Sequence, residues 1–202
     1  LIDLQTATQL VAEGTASHPV VMTSLLDDRF GGGGTFDTNN DADAPIQQLA
    51  SKGDWAGIYA SPLSQVFIDH GVVSYAGGIS LLQGGQTRGF VPLELQQAEG
   101  RITNTRFEFN NDGQDGAGPI GRFGRMAVAP STIFIRGSQP ILVGNTFVDN
   151  DTFETFSGGP NGNDGAIIHI DVDSFNGERR VDTGRATGSI DRYSELDDNC
   201  GT

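Results

Sequence analysis

The feature that most constrains this chain is a short apolar pattern that returns at unequal intervals. Ile68-Asp69-His70-Gly71-Val72-Val73-Ser74-Tyr75 and Ile102-Thr103-Asn104-Thr105-Arg106-Phe107-Glu108-Phe109 share apolar residues at their first, sixth and eighth places, 34 residues apart. A looser third copy, Ile141-Leu142-Val143-Gly144-Asn145-Thr146-Phe147-Val148-Asp149-Asn150, begins 39 residues after Ile102 and needs one inserted residue to bring Phe147 opposite Phe107. Helical repeats keep a fixed unit length, whereas coils of short strands tolerate loops of varying size between them. The segments are also too short for helices and are closed by small residues, as in Gly53-Asp54-Trp55-Ala56-Gly57-Ile58-Tyr59 and Tyr75-Ala76-Gly77-Gly78. Only Ala44 to Lys52 has a composition that suits a turn or two of helix.

A strand with alternating apolar residues needs hydrogen-bonding neighbours about 4.8 Å away on both sides, and stacked coils supply them while burying one column of side chains. Asn104, Asn110, Asn145 and Asn150 fall at turns, where Asn tolerates left-handed backbone and bonds along a stack. The fold expected is all-β: a right-handed parallel β-helix, or solenoid, forming one module over residues 1–202. Long loop excursions are expected at about 26–53, 110–131 and 151–165, with a polar tail at 176–202. The alternative is a β-sandwich, which requires hairpins, and two-residue hairpin turns between matched strands are not evident. With 36% hydrophobic residues and 29 glycines, apolar side chains must be spread thinly among many turns, which opposes a compact helical protein.

Charge narrows the partners. Twenty-six acidic residues against twelve basic ones give −14, and Lys52 is the sole lysine. Such a surface repels nucleic acid and anionic lipid and attracts dissolved cations. No apolar run is long enough for membrane insertion. Cys200 stands alone, so neither an intrachain disulfide nor a cysteine metal cluster can form. The chain opens mid-pattern without a signal segment, and a piece of something longer is expected.

The ordered combination of Gly14-Thr15-Ala16-Ser17-His18-Pro19-Val20-Val21-Met22-Thr23-Ser24, Asp27-Asp28, Asp37-Thr38-Asn39-Asn40-Asp41, Gly53 to Ile58, Tyr75 to Gly78, the strands near Phe107 and Phe147, and Asp182-Thr183-Gly184-Arg185 covers most of the chain. It resembles right-handed parallel β-helix modules of large bacterial surface and secreted proteins. The resemblance implies that fold and an extracellular or cell-surface setting. It supplies no reaction.

Three groups of residues invite chemistry. Asp37, Asn39, Asp41 and Asp43 place oxygen side chains at alternate positions, the spacing that wraps a loop around Ca²⁺, and Asp27 and Asp28 add carboxylates. Ala42 and Gln48 depart from the EF-hand pattern, so a calcium loop without flanking helices is expected, against the alternative of a solvated acidic loop. Ala166-Ile167-Ile168-His169-Ile170-Asp171-Val172-Asp173 is the best strand: alternation sends Ile168, Ile170 and Val172 to the core and His169, Asp171 and Asp173 outward. Two carboxylates and a histidine on one face suit a polysaccharide-active enzyme, and equally an ordinary exposed face. Asp69 and His70 offer a weaker version. A lyase would also want a basic residue, but Lys52, Arg101, Arg106 and Arg136 belong to different segments. Gly116-Ala117-Gly118-Pro119-Ile120-Gly121 has the letters of a dinucleotide fingerprint without a preceding strand. Trp55 is expected to pack over the end of the core rather than to stack on a sugar.

These residues lead to a non-enzymatic structural or adhesive module, calcium-stabilised, meeting a glycan or protein at the cell surface, with neighbouring coils or other subunits capping its ends. The alternatives are a glycoside hydrolase or lyase acting through Asp171, Asp173 and His169, and an accessory subunit of a larger assembly.

Overall fold

A computed structural model describes residues 1–30, 50–81, 87–113, 128–151 and 166–171. They form three parallel sheets. Sheet A contains, in spatial order, β1 (Ile2–Leu4), β4 (Ile58–Ala60), β9 (Leu93–Gln96), β12 (Ser131–Arg136) and β15 (Ala166–Ile170). Sheet B contains β2 (Gln9–Glu13), β5 (Gln65–Asp69), β10 (Glu99–Thr103) and β13 (Ile141–Val143). Sheet C contains β3 (Val20–Met22), β6 (Gly71–Ser74), β11 (Arg106–Glu108) and β14 (Thr146–Val148). The chain passes from A to B to C and back to A, adding one strand to each sheet on every circuit. Among the described residues there is no helix, and none long and apolar enough to cross a membrane. The helical reading of Ala44 to Lys52 falls mostly outside them.

Among the described residues one pair of strands is antiparallel, β7 (Ile79–Leu81) with β8 (Thr87–Gly89), and it lies in a connection rather than in a sheet of the stack, as does the isolated antiparallel bridge between Thr15 and His18. An antiparallel sandwich therefore does not describe this part of the chain. Strands of three to six residues carry only one to three inward side chains each, which is how a modest apolar fraction suffices. Ile2, Ile58, Leu93, Ile133 and Ile168 share one rung position, Ala12, Ile68, Ile102 and Leu142 a second, and Met22, Val73, Phe107 and Phe147 a third. The columns meet in one core, where the Phe107 and Phe147 rings stack at 5.3 Å.

The register corrects one detail of the repeat. Ile102 pairs with Leu142, not Ile141, and Phe107 pairs with Phe147 at the same offset, so no residue is inserted. Ile141 misled because it is apolar yet faces outward, where it is 56% exposed. Ile168 and Ile170 do occupy the core columns above Ile133 and Ile135, but as the last described rung they remain 36% and 49% exposed. Val172 lies outside the described residues.

Left-handed residues make the corners. Ala7, Leu63, Gln97 and Gly137 have positive φ between sheets A and B, His70, Asn104 and Gly144 between B and C, and Tyr75, Phe109 and Asp149 just after C. One such residue bends the chain so sharply that the A-to-B and B-to-C connections holding one need four residues or fewer, whereas residues 14–19, which hold none, need six. For a non-glycine residue the conformation costs about 1–2 kcal/mol, which the stacked neighbours must offset.

Hydrogen bonds from the next circuit do so. Ser138 Oγ accepts from Ala98 N at 3.0 Å, Asn145 Oδ1 from Thr105 N at 3.0 Å, and Asn110 Oδ1 from Ala76 N at 2.8 Å. Asn110, Asn145 and Asn150 thus bond along the stack, while Asn104 alone of the four is left-handed.

Candidate functional site

The return from C to A is different. Its connections, residues 23–57, 75–92, 109–130 and 149–165, are all long, and all leave from the same corner. Loops carried on a rigid scaffold are where binding and catalytic groups concentrate. The excursions expected at 26–53, 110–131 and 151–165 fall almost entirely within this row. The connection at 75–92, with its hairpin, was missed by sequence reasoning, although Gly84-Gly85 between two short apolar runs was a turn signal.

The described ends of the first connection, residues 23–30 and 50–57, lie along the corner. Its two roots are tied together, because Ser24 Oγ and Ser51 N both donate to Asp54 Oδ2, at 2.7 and 2.9 Å. Trp55 packs against the core and donates from Nε1 to Ser74 O at 2.8 Å, the covering role expected of it. Gly77 and Gly78 permit this closeness: a Cβ on Gly77 would lie 1.8 Å from Asn111 O and one on Gly78 1.8 Å from Gly53 O.

Arg29 is the main anchor. Its guanidinium lies 5.2 Å from the ring centroids of both Tyr75 and Phe109, which stack on each other at 5.7 Å, and 5.1 Å from Phe30. It bonds Asp27 through Nε at 2.7 Å and Glu108 through one terminal nitrogen at 2.9 Å. Both carboxylates are buried, at 3% and 5% exposure. Burial pushes the Asp27 carboxyl up, but the hydrogen bonds from Arg29 and Thr23 and the neighbouring positive charge outweigh it and hold the group below its ordinary value. Arg106 also bonds Glu108, at 2.5 Å. Further along, Lys52 reaches Asp151 at 2.7 Å and Asp149 at 3.2 Å. Residues 24–30 and 51–55 thereby touch three successive circuits.

Of the calcium candidates, Asp37, Asn39, Asp41 and Asp43 lie outside the described residues. Asp27 is a poor fit for a cation: Oδ1 accepts from Arg29 and Oδ2 from both Arg29 and Thr23, the latter at 2.5 Å, and a guanidinium would repel the ion. Asp28 belongs to the same root. Among the described residues no group of three or more His, Cys, Asp or Glu side chains converges.

The second region is the outer face of sheet A, where the enzymatic alternative falls. His169 stacks on Phe134 at 5.4 Å, and Asp171 accepts from Arg136 at 2.9 Å. Asp173 lies outside the described residues. The same face carries Glu94, which pairs in register with Phe134 and is wholly buried, accepting from Val91 N at 3.1 Å. Glu94 went unnoticed in the sequence, although the alternation Leu93-Glu94-Leu95-Gln96 marks it. Gln96 Nε2 and Thr132 Oγ1 are buried and have no hydrogen-bond partner among the described residues.

The other candidates separate. Arg101 is on sheet B, over Phe67 and paired with Glu13, Arg106 on sheet C and Arg136 on sheet A, so the stack does not gather these arginines. Asp69 is held down to about 2 by hydrogen bonds from Thr103, Asn104 and His70, the last at 3.0 Å. Its polar turn is fully accounted for by those neighbours. Gly116 to Gly121 and Cys200 lie outside the described residues. Compared with protein-family models, curated proteins and solved structures, the chain matches none of them, so its functional reading rests on this geometry.

Proposed function

We propose that this chain is a right-handed parallel β-helix module acting as a structural and adhesive element of a bacterial surface or secreted protein, without catalysing a reaction by itself. The observation that carries the reading is the placement of every long connection at one corner, on a stack whose other corners are tight. Such an object is a stiff rod that presents a single row of loops to a glycan or protein. The charged groups at that row support it: Arg29 and Lys52 hold their acids in structural pairs rather than leaving them poised over a cleft.

The test is a panel of soluble polysaccharides and surface proteins, assayed for both binding and cleavage. Binding without cleavage, lost when residues 79–89 are replaced by a short Gly-Ser linker, is the expected result. Cleavage of any polysaccharide that disappears in Asp171→Asn would overturn the non-enzymatic reading in favour of the sheet A face.

Calcium stabilisation is the second part of the proposal and rests on the alternate oxygens of residues 37–43, with Asp28 nearby. A ligand at a hundredfold its dissociation constant adds about 2.7 kcal/mol. The melting temperature is therefore expected to rise by several degrees in excess Ca²⁺, and Asp37→Asn combined with Asp41→Asn to remove the rise. An unchanged melting temperature on chelation of the purified protein would eliminate calcium from the account.

A further inference from the structure

Sheet B differs from the other two in carrying no long connection at either of its edges, and its outer face is left with large apolar side chains in solvent. Val11, Ile141 and Val143 are 54%, 56% and 59% exposed. The register lines up Val11, Phe67, Arg101 and Ile141 as one outward column on four successive rungs. Read from one end the column is apolar, aromatic, cationic, apolar. Read from the other it is apolar, cationic, aromatic, apolar. The chemistry is thus self-complementary on reversal: laid against an inverted copy of itself, Val11 meets Ile141 and Phe67 meets Arg101.

We propose that the outer face of sheet B is an interface with a second copy of this chain, packed face to face with the two stack axes antiparallel. The operation required is a two-fold rotation about an axis parallel to the strands. That rotation reverses the rung order and keeps each column opposite itself, so the interface is isologous and closed. Phe67 already supports a guanidinium, since Arg101 lies 5.6 Å from its ring centroid within the chain, and the dimer offers each ring a second one from its partner. The flanking columns agree. Inversion brings Asp69 opposite Thr103 and Gln65 opposite Glu99, each an acceptor against a donor, and Glu13 opposite Val143, so no two like charges stand directly opposite, while Asp69, Glu99 and Arg101 each lie one rung from their own copy. The face carries Glu13, Asp69 and Glu99 against Arg101, so salt that screens the remaining repulsion should strengthen the association.

The size of the face sets the strength. Three strands of five residues and one of three, about 4.8 Å apart, cover roughly 300 Å². A standard stable interface needs about 800 Å² per partner, so the dimer is weak and concentration-dependent.

Sedimentation equilibrium from about 10 μM to 1 mM reads it directly. A monomer–dimer equilibrium is expected within that range, weakened at least tenfold by Val11→Asp or Ile141→Asp. Both positions are more than half exposed, so both variants should melt within a few degrees of the parent chain, which separates lost association from lost folding. Geometry is tested in a Cys200→Ser background by mixing a Val11→Cys protein with an Ile141→Cys protein under mild oxidation. The antiparallel arrangement predicts that the mixture forms a disulfide across copies and that neither variant does so alone. A chain that stays monomeric at 1 mM overturns the interface and leaves the face to a different partner. Val11→Cys linking to itself as readily as to Ile141→Cys overturns the antiparallel packing.

Discussion

Replacing Asn110 with leucine is expected to destabilise the protein by about 4 kcal/mol, near the upper end for a single substitution. Asn110 is wholly buried at the corner beyond sheet C and serves three neighbours at once. Its Oδ1 accepts from Ala76 N at 2.8 Å, and its Nδ2 donates to Val73 O at 3.0 Å and to Asn150 Oδ1 at 2.8 Å. Leucine fills the same space yet takes the side-chain partner from the buried Ala76 N and from Val73 O, while Asn150 Oδ1 keeps only the bond from the Asn110 backbone N at 3.2 Å. Each such group costs about 1–3 kcal/mol. The loss is not confined to one rung, because Asn150 repeats the bond, donating to Phe107 O at 2.9 Å. For a chain of this length the melting temperature should fall by about 10 °C. Asn110→Asp is the informative companion: it keeps the acceptor for Ala76 but sets a buried carboxylate oxygen against Val73 O and Asn150 Oδ1, so at neutral pH it should melt no higher than the leucine variant. A leucine variant that melts with the parent would show that the Asn ladder is not what closes the corner.

Arg29→Met is expected to cost about 3 kcal/mol at neutral pH, with a pH dependence that reveals the cause. The methionine keeps the apolar reach over Tyr75 and Phe109 but withdraws the positive charge from two buried carboxylates, Asp27 and Glu108. Breaking a buried pair by removing one partner costs about 3–5 kcal/mol; the lower end applies because the Arg29 side chain is itself 40% exposed. In the parent, Asp27 titrates below its unfolded value of 3.8, so its contribution is present above pH 4 and is lost as pH falls through the lower folded value. Without the Arg29 side chain, burial of Asp27 is opposed only by Thr23 and the backbone N–H of residue 29, and its carboxyl rises. Protonation then relieves the variant while it weakens the parent. The difference between the two in urea unfolding should therefore be largest near pH 7 and shrink below pH 4. A difference that does not change with pH would mean that Arg29 acts by packing alone.

Strand positions and inward columns were legible in the sequence because their cause is local. Alternation in Gln65 to Asp69 and Glu99 to Thr103 follows from the two-residue period of an extended chain, and any partner strand must respect it. The 34-residue return from Ile68 to Ile102 was legible for the same reason. The third copy was misread by one residue because an outward Ile141 and an inward Leu142 look alike until a neighbouring strand fixes which face is core.

The candidate site was legible only in fragments. His169 and Asp171 could be assigned to one face from their spacing, but their partners Phe134 and Arg136 lie about one circuit earlier, at a distance set by a loop of arbitrary length. Asp27 looked like a cation ligand because carboxylates near other carboxylates suggest one. Its actual environment includes Glu108, brought alongside through Arg29. By itself the sequence determined that this chain would be all-β, built from short alternating strands with Asn at the bends, since those features depend on backbone geometry within a few residues. Only the tertiary structure decided that every long connection leaves from one corner and that Arg29 is caught between two aromatic rings and two buried acids. Both depend on which circuits lie side by side, and stacking rather than sequence distance sets those neighbours.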